Sequence, residues 1–305
     1  MLTYGFVGLG HLGSRLARLL VAGGFNVRVC DLDKSAATAL LHAGAQWAAT
    51  PAAAAADADG VITCLPSPEA SNKTLLGENG ALANMKPGST WIEMSTNDVA
   101  EIKRIASLAA KRSVSVLECP CSGGLHRAAK GEMTVFVGGE KGIFERHLAA
   151  LQAMCGPIFY LGELGSASLL KVITNMLCLI DLVATGEALM LAKKGGLDLG
   201  ECYRAISESS GTSREFEDWA PVILNGSLNT GFTLDLALKD LGFGMSFGRT
   251  FDLPLKLTGL VEHLLKEARN TYGGSAWTPH VVKMMEEAAG TELRAEGFAE
   301  VIEPN

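Results

Sequence analysis

The sequence predicts an α/β fold: a doubly wound, mainly parallel sheet, then a long connecting helix and an all-helical C-terminal domain. Three observations carry this. Short apolar runs rich in β-branched residues alternate with helical periodicity from the N-terminus to about residue 162. A glycine-rich turn, Gly8-Leu9-Gly10-His11-Leu12-Gly13, joins the first run to the first helical pattern. After Gly165 the strand signal stops and only helical patterns follow.

The elements follow in order. Residues 4–7 form the first strand, and residues 12–21 a helix with apolar positions at 12, 16, 19 and 20. Residues 26–30 form the second strand, and an alanine-rich helix over 35–43 is stopped by Gly44. Pro51 suits the first position of a short helix, where its missing N–H loses nothing. Residues 60–65 are the next strand, ended by Pro66, and 89–94 another. A helix over 98–112 puts Ile102, Ile105, Ala106 and Ala109 on one face. Strands at 114–118, 134–137 and 158–161 follow, with a helix near 140–153. Residues 166–193 read as one long helix. Further on, Leu257, Leu260, Val261, Leu264, Leu265 and Ala268 form an apolar stripe, with Glu262 and Lys266 as an i,i+4 pair. The expected domains are 1–163 and 164–305, with a small-substrate cleft between them.

Composition narrows the function classes. The chain has 305 residues, 48% hydrophobic and 19% charged, enough for two domains with cores. A net charge of −7 and the lack of any Lys/Arg block argue against a nucleic-acid partner. Seven cysteines, odd in number and scattered, fit reduced thiols and a cytoplasmic location better than a disulfide framework. Cys119 and Cys121 are the only close pair, and no second Cys/His cluster completes a site, so no metal is expected. No basic segment precedes the first strand, so no signal peptide is expected. Lys171, Asn175, Asp181 and Glu187 interrupt the most apolar helix, so no membrane span is expected either.

The glycine turn carries the first chemistry. In a strand–turn–helix unit, Gly8 permits the tight turn, Gly10 lets a pyrophosphate approach the backbone, and Gly13 lets helix and strand pack closely. The helix N-terminus then presents N–H groups to the phosphates. Asp31 ends the second strand, 23 residues after Gly8. A carboxylate there accepts from the adenosine ribose hydroxyls and repels a 2′-phosphate, which favours NAD over NADP. The pattern is that of a Rossmann-type dinucleotide domain, although FAD- and S-adenosylmethionine-binding folds show similar glycines.

Three further stretches carry chemical content. Ser122, Gly123 and Gly124 end a strand, where a hydroxyl and two glycyl N–H groups could cup a carboxylate; a plain Gly-Gly turn reads the same way. Lys171 and Asn175 share one face of a nearly apolar helix. A lysine there snorkels, pairs or does chemistry, and desolvation moves an amine toward the range of a general base. Lys239 could reach cofactor or substrate oxygens, or be a solvated charge beside Asp240.

Together these stretches resemble the β-hydroxyacid dehydrogenases, the family of 3-hydroxyisobutyrate dehydrogenase and tartronate semialdehyde reductase. The motifs agree in order and spacing over nearly the whole chain: GLGHLG at 8–13, LPS at 65–67, STN at 95–97, PCSGG at 120–124, KxxxN at 171 and 175, and KDLG at 239–242. The resemblance implies hydride transfer between NAD(H) and a small 3-hydroxy acid or its semialdehyde. It makes Lys171 the general acid/base and Asn175 its partner in aligning the substrate. Ser122, Gly123 and Gly124 would bind the substrate carboxylate. Leu65, Pro66 and Thr96 would line the nicotinamide half of the groove, and Lys239 would close over cofactor and substrate. Assembly as a homodimer or homotetramer is implied as well.

Cys121 stands where the family usually has Val. His126 and Arg127 stand where many relatives carry small residues, and either facing the pocket would select a second polar or anionic group. Two other readings remain at this point: an imine reductase-like enzyme of the same superfamily, and a non-catalytic dinucleotide-binding scaffold. Lys171 and Asp31 argue against the first, and intact Lys171 and Asn175 against the second.

Overall fold

A computed structural model describes residues 2–299. The chain forms two compact units, Met1–Lys171 and Val172–Asn305.

The first unit runs β1 (Thr3–Val7), α1 (Gly13–Ala22), β2 (Asn26–Cys30), a 3-10 turn over Lys34–Ala37, α2 (Thr38–His42), β3 (Gln46–Trp47), α3 (Pro51–Ala55) and β4 (Gly60–Thr63). It continues through α4 (Pro68–Leu76), β5 (Thr90–Glu93), α5 (Val99–Ala110), β6 (Ser115–Glu118), β7 (Cys121–Ser122), α6 (Gly124–Lys130), β8 (Thr134–Gly139), α7 (Lys141–Met154) and β9 (Ile158–Tyr160). The strands lie in the order β3-β2-β1-β4-β5-β6-β8-β7, with β9 beside β8. From β3 to β6 every pairing is parallel, whereas β8 runs antiparallel to β6 and β7.

Alternation along the strands makes this sheet two-sided. Phe6, Val29, Ile62, Ile92 and Leu117 face one core, where Leu16 and Leu20 of α1 and Leu151 of α7 pack. Val7, Cys30, Val61, Trp91 and Val116 face the other, against Ala54 of α3 and Ile102 and Ile105 of α5. A strand buried on both faces needs apolar side chains at every position, hence the unbroken runs. The side chains of Thr50, Ser67 and Asp98 accept the amides of Ala53, Ala70 and Glu101, capping α3, α4 and α5, each worth about 1 kcal/mol.

The structure corrects several boundaries. The segment expected as a helix over 35–43 begins as the 3-10 turn, with Asp33 accepting the Ser35 amide. The strand expected over 60–65 stops at Thr63, which releases Cys64 and Leu65 into the loop beyond. The two-residue strands β3 and β7 were too short to show any alternation.

That helix is α8 (Ser166–Lys194); it leads into α9 (Leu199–Ser207), α10 (Arg214–Leu224), α11 (Leu234–Thr250), α12 (Lys256–Tyr272) and α13 (His280–Ala289). Leu179, Leu182 and Leu189 of α8 sit in the second unit's core with Trp219, Ile223, Leu241 and Leu265. By length and composition α8 is apolar enough to cross a membrane, but 44% of its most apolar window is buried inside the fold. The expected stripe on α12 divides: Val261, Leu265 and Ala268 are buried, while Leu257 and Leu260 are exposed. Lys266 pairs with Glu262 at 2.9 Å on that helix.

Candidate active site

The glycine turn sits at the carboxyl end of β1, where the strand order reverses between β2 and β4. Open α/β sheets bind ligands at such a switch point. At Gly8 (φ +98°) an added Cβ would stand 2.3 Å from the Cys64 carbonyl oxygen, and at Gly13 only 2.0 Å from the Gly8 oxygen. Those two glycines are therefore dictated by packing. Gly10 differs, since nothing lies within 4 Å of its Cβ position. Its backbone is open, as the approach of a pyrophosphate requires. Among the described residues no side chain caps α1, and its Ser14 and Arg15 amides donate to the carbonyls of Gly10 and Leu12. The residues present thus fit a dinucleotide. His11 is exposed and Leu12 half-buried.

Asp31 is half-buried at the end of β2. Its carboxylate accepts the Leu9 amide at 2.6 Å and the Asp33 amide at 2.9 Å, which ties the acid to the glycine turn. Asp33 is exposed, and hydrogen bonds from the Ser35 hydroxyl and amide hold its carboxyl below the usual range. Leu32, between the two acids, is fully exposed.

The loops beyond β4 and β5 carry Leu65, Pro66 and Thr96. The Leu65 side chain abuts Gly8, its Cδ2 lying 3.0 Å from the glycine's Cβ position. The Leu65 amide donates to Ser95 Oγ at 2.8 Å. Pro66 is exposed and Thr96 half-buried. Beneath them lies a residue the sequence reading did not single out, the wholly buried Glu93 at the end of β5. It accepts from the Ser71 hydroxyl (2.7 Å), the Ser95 amide (2.9 Å), the Asn97 amide group (3.2 Å) and the Ser95 hydroxyl. Burial pushes its carboxyl above the usual range, and the serine hydrogen bonds act the other way.

Glu118, also wholly buried, is the register partner of Glu93 on β6. It accepts the amides of Gly165 (2.7 Å) and Ala167 (2.8 Å) and the Ser168 hydroxyl (2.5 Å). One acid thus satisfies the opening turn of α8. Three residues past Ser168 comes Lys171, whose side chain is buried at 8% exposure.

Beyond β6 the chain turns through Ser122, Gly123 and Gly124. Both glycines hold positive φ, +133° and +75°. Such angles strain any residue with a Cβ. The aliphatic stem of Arg127 lies over Gly123, and the His126 ring over Gly124. Both residues are half-buried, and Arg127 Nε is enclosed without a hydrogen-bond partner among the described residues. The Cys121 thiol, next to Ser122, is raised well above its usual range by its hydrogen bond with Cys155 and by burial, while the charge of Lys171 pulls the other way. The charge of Lys171 is thus felt at Cys121, the residue before Ser122.

In the second unit, Asn175 follows Lys171 by one turn of α8 and donates to Asp240 Oδ2 at 2.6 Å. Lys239 pairs with Asp240 Oδ1 at 2.9 Å. Buried Asp240 thereby brings Asn175 and Lys239 onto one carboxylate. Sequence reasoning had set Asp240 down only as a neighbour of Lys239; the signal available was an acid among apolar helix positions. For Glu93 and Glu118 it was an acid closing an apolar strand.

Comparison with known proteins agrees with this geometry. Residues 3–162 match the model of the NAD binding domain of 6-phosphogluconate dehydrogenase. Residues 165–285 match that of the NAD-binding region of NADP-dependent 3-hydroxyisobutyrate dehydrogenase. The chain is 31% identical to an L-threonate dehydrogenase of Cupriavidus necator, over 92% of this chain and 95% of that one. It is 33% identical to an NAD-dependent L-serine dehydrogenase of Pseudomonas aeruginosa, over 78% and 82%. The crystal structure of a 3-hydroxyisobutyrate dehydrogenase from Salmonella typhimurium superimposes with a TM-score of 0.86 at 28% identity, covering 93% of this chain and all of that one. With both family models matched in order along a fold that puts their glycine turn at the switch point, the chain belongs to the β-hydroxyacid dehydrogenase family of NAD(P)-dependent dehydrogenases.

Proposed function

We propose that the protein is an NAD-preferring dehydrogenase of a small 3-hydroxy acid or its semialdehyde, with Lys171 as general acid/base. The observation that carries this is a buried amine, Lys171, on a helix whose first turn is fixed by Glu118. A bound nicotinamide would supply or accept the hydride. In oxidation, Lys171 Nζ takes the proton of the substrate hydroxyl, and in reduction it returns one to the carbonyl oxygen. Ser122 Oγ and the amides of Gly123 and Gly124 hold the substrate carboxylate. Asn175 and Lys239, both fastened to Asp240, orient substrate and cofactor.

For the cofactor, Gly8, Leu9, Gly10, His11, Leu12 and Gly13 make the phosphate turn, and Leu65, Pro66 and Thr96 line the nicotinamide half. Asp31 and Asp33 are two carboxylates beside the glycine turn, and their charges would repel a 2′-phosphate, which supports NAD; the exposed Leu32 would offer an apolar surface to the adenine. Arg127, and His126 beside it, favour substrates with a second anionic or polar group. The exposed Leu257 and Leu260 of α12 support assembly through the helical unit, and a sedimentation mass of 32.0 kDa at all concentrations would count against it. The decisive test is a panel of hydroxy acids and semialdehydes followed by NADH absorbance with both cofactors. Turnover of none, or a preference for NADP, contradicts the corresponding part of the reading.

A further inference from the structure

We propose that Glu93 is a positioning residue that locks the loops beyond β4 and β5 into one surface for the dinucleotide. The inference rests on the reading above that these loops hold the cofactor, and it adds the device that holds them.

Glu93 is the point where three segments meet. Ser71 comes from α4, and Ser95 and Asn97 come from the loop beyond β5. The third segment is reached through a relay: the Ser95 hydroxyl donates to Glu93 and accepts the Leu65 amide at 2.8 Å. Leu65 in turn lies against Gly8, the first residue of the glycine turn. An unbroken path therefore runs from a buried carboxylate to the wall of the phosphate turn. The partners that Glu93 meets among the described residues are hydroxyls and amides, which neutralise little charge. An ionisable group kept in a core without an ion pair is expensive, and an apolar residue would fill the site at less cost. Only a carboxylate offers enough acceptor positions for four donors from one loop and one helix.

The test measures NADH affinity by fluorescence titration, alongside KM and kcat, on the parent, Glu93→Gln, Ser95→Ala and Ser71→Ala. Thermal melts confirm folding of each. Glu93→Gln and Ser95→Ala should weaken NADH on the order of tenfold, the scale of losing one hydrogen bond to a buried charged group. KM for the dinucleotide should rise while KM for the hydroxy acid stays near the parental value. Ser71→Ala, which removes a Glu93 contact off the path to Leu65, should bind NADH within about twofold of the parent, since the relay is intact. If the parent binds NADH and Glu93→Gln and Ser95→Ala match it, the inference fails while the cofactor reading stands. The inference also fails if Ser71→Ala loses as much affinity as Ser95→Ala, because Glu93 then supports the core without directing a loop. A folded parent that does not bind NADH overturns both.

Discussion

Ser168 donates its hydroxyl to Glu118 at 2.5 Å, across 50 residues of chain. The same carboxylate takes the amides of Gly165 and Ala167, so the end of β6 and the start of α8 are fixed to each other by one side chain. β6 feeds the Ser122 turn, and α8 carries Lys171. The separation of these two chemical groups is thus set by an acid that needs to touch neither substrate nor cofactor.

Glu118→Ala should therefore lower kcat at least tenfold while NADH still binds, because small misplacements of a reacting group are costly. Stability should fall by roughly 3 kcal/mol as buried helix amides lose their acceptor. Steady-state kinetics with urea unfolding checks both, and an unchanged kcat would remove Glu118 from the mechanism.

Lys171→Met keeps the stem and removes the amine. We expect kcat to drop by roughly 10²–10⁴, the range of general acid–base catalysis, with NADH affinity retained. Parental turnover in this variant would dismiss Lys171 as the proton-transfer group.

Asp31→Asn preserves the acceptor for the Leu9 amide and removes one charge. Discrimination against NADP should narrow roughly tenfold, seen as a ratio of kcat/KM values, since part of the selectivity is repulsion. A ratio equal to the parent's would move the preference elsewhere.

Arg127→Ala should raise KM for acids with a second carboxylate or hydroxyl and spare simpler ones. The enclosed, unpartnered Nε motivates this. Equal KM changes across the panel, or none, would return Arg127 to a packing role over Gly123.

His147 is wholly buried between Tyr4 and Thr90, at 2.8 Å from each, and burial pushes its pKa down from 6.5 to about 4. Below pH 6.5 the unfolded chain holds a proton there that the folded chain refuses, so stability falls as pH falls toward 4. The slope is about 1.4 kcal/mol per pH unit and the total roughly 3 kcal/mol. Glu93, whose carboxyl is raised, titrates in the opposite sense, so the parent minus His147→Gln difference isolates the histidine. A pH-independent difference between them over that window would contradict this.

Much of the first unit was legible because its signals are local. A strand buried on both faces must be apolar throughout, and Gly13 answers to the Gly8 carbonyl within one strand–turn–helix unit. Asp31 was legible for the same reason, closing the strand that pairs with β1. Glu118 and Glu93 were not, since an acid after an apolar run is equally a solvated strand end until the distant Ser168 or Ser71 is placed on it. The stripe on α12 was legible as a helix, but periodicity marks an apolar face and not what covers it, and Leu257 and Leu260 are exposed.

The linear order of residues thus determined the fold class, the dinucleotide turn and the candidates Lys171, Asn175 and Lys239, all written in spacings of a few residues. Tertiary structure alone decided which acids are buried and whom they hold: Glu93 the loops at β4 and β5, Glu118 the lysine helix, Asp240 the pair Asn175 and Lys239. The physical reason is that burying a charge is tolerable only when donors converge on it, and for each acid at least one donor, Ser71, Ser168 or Asn175, comes from a distant segment.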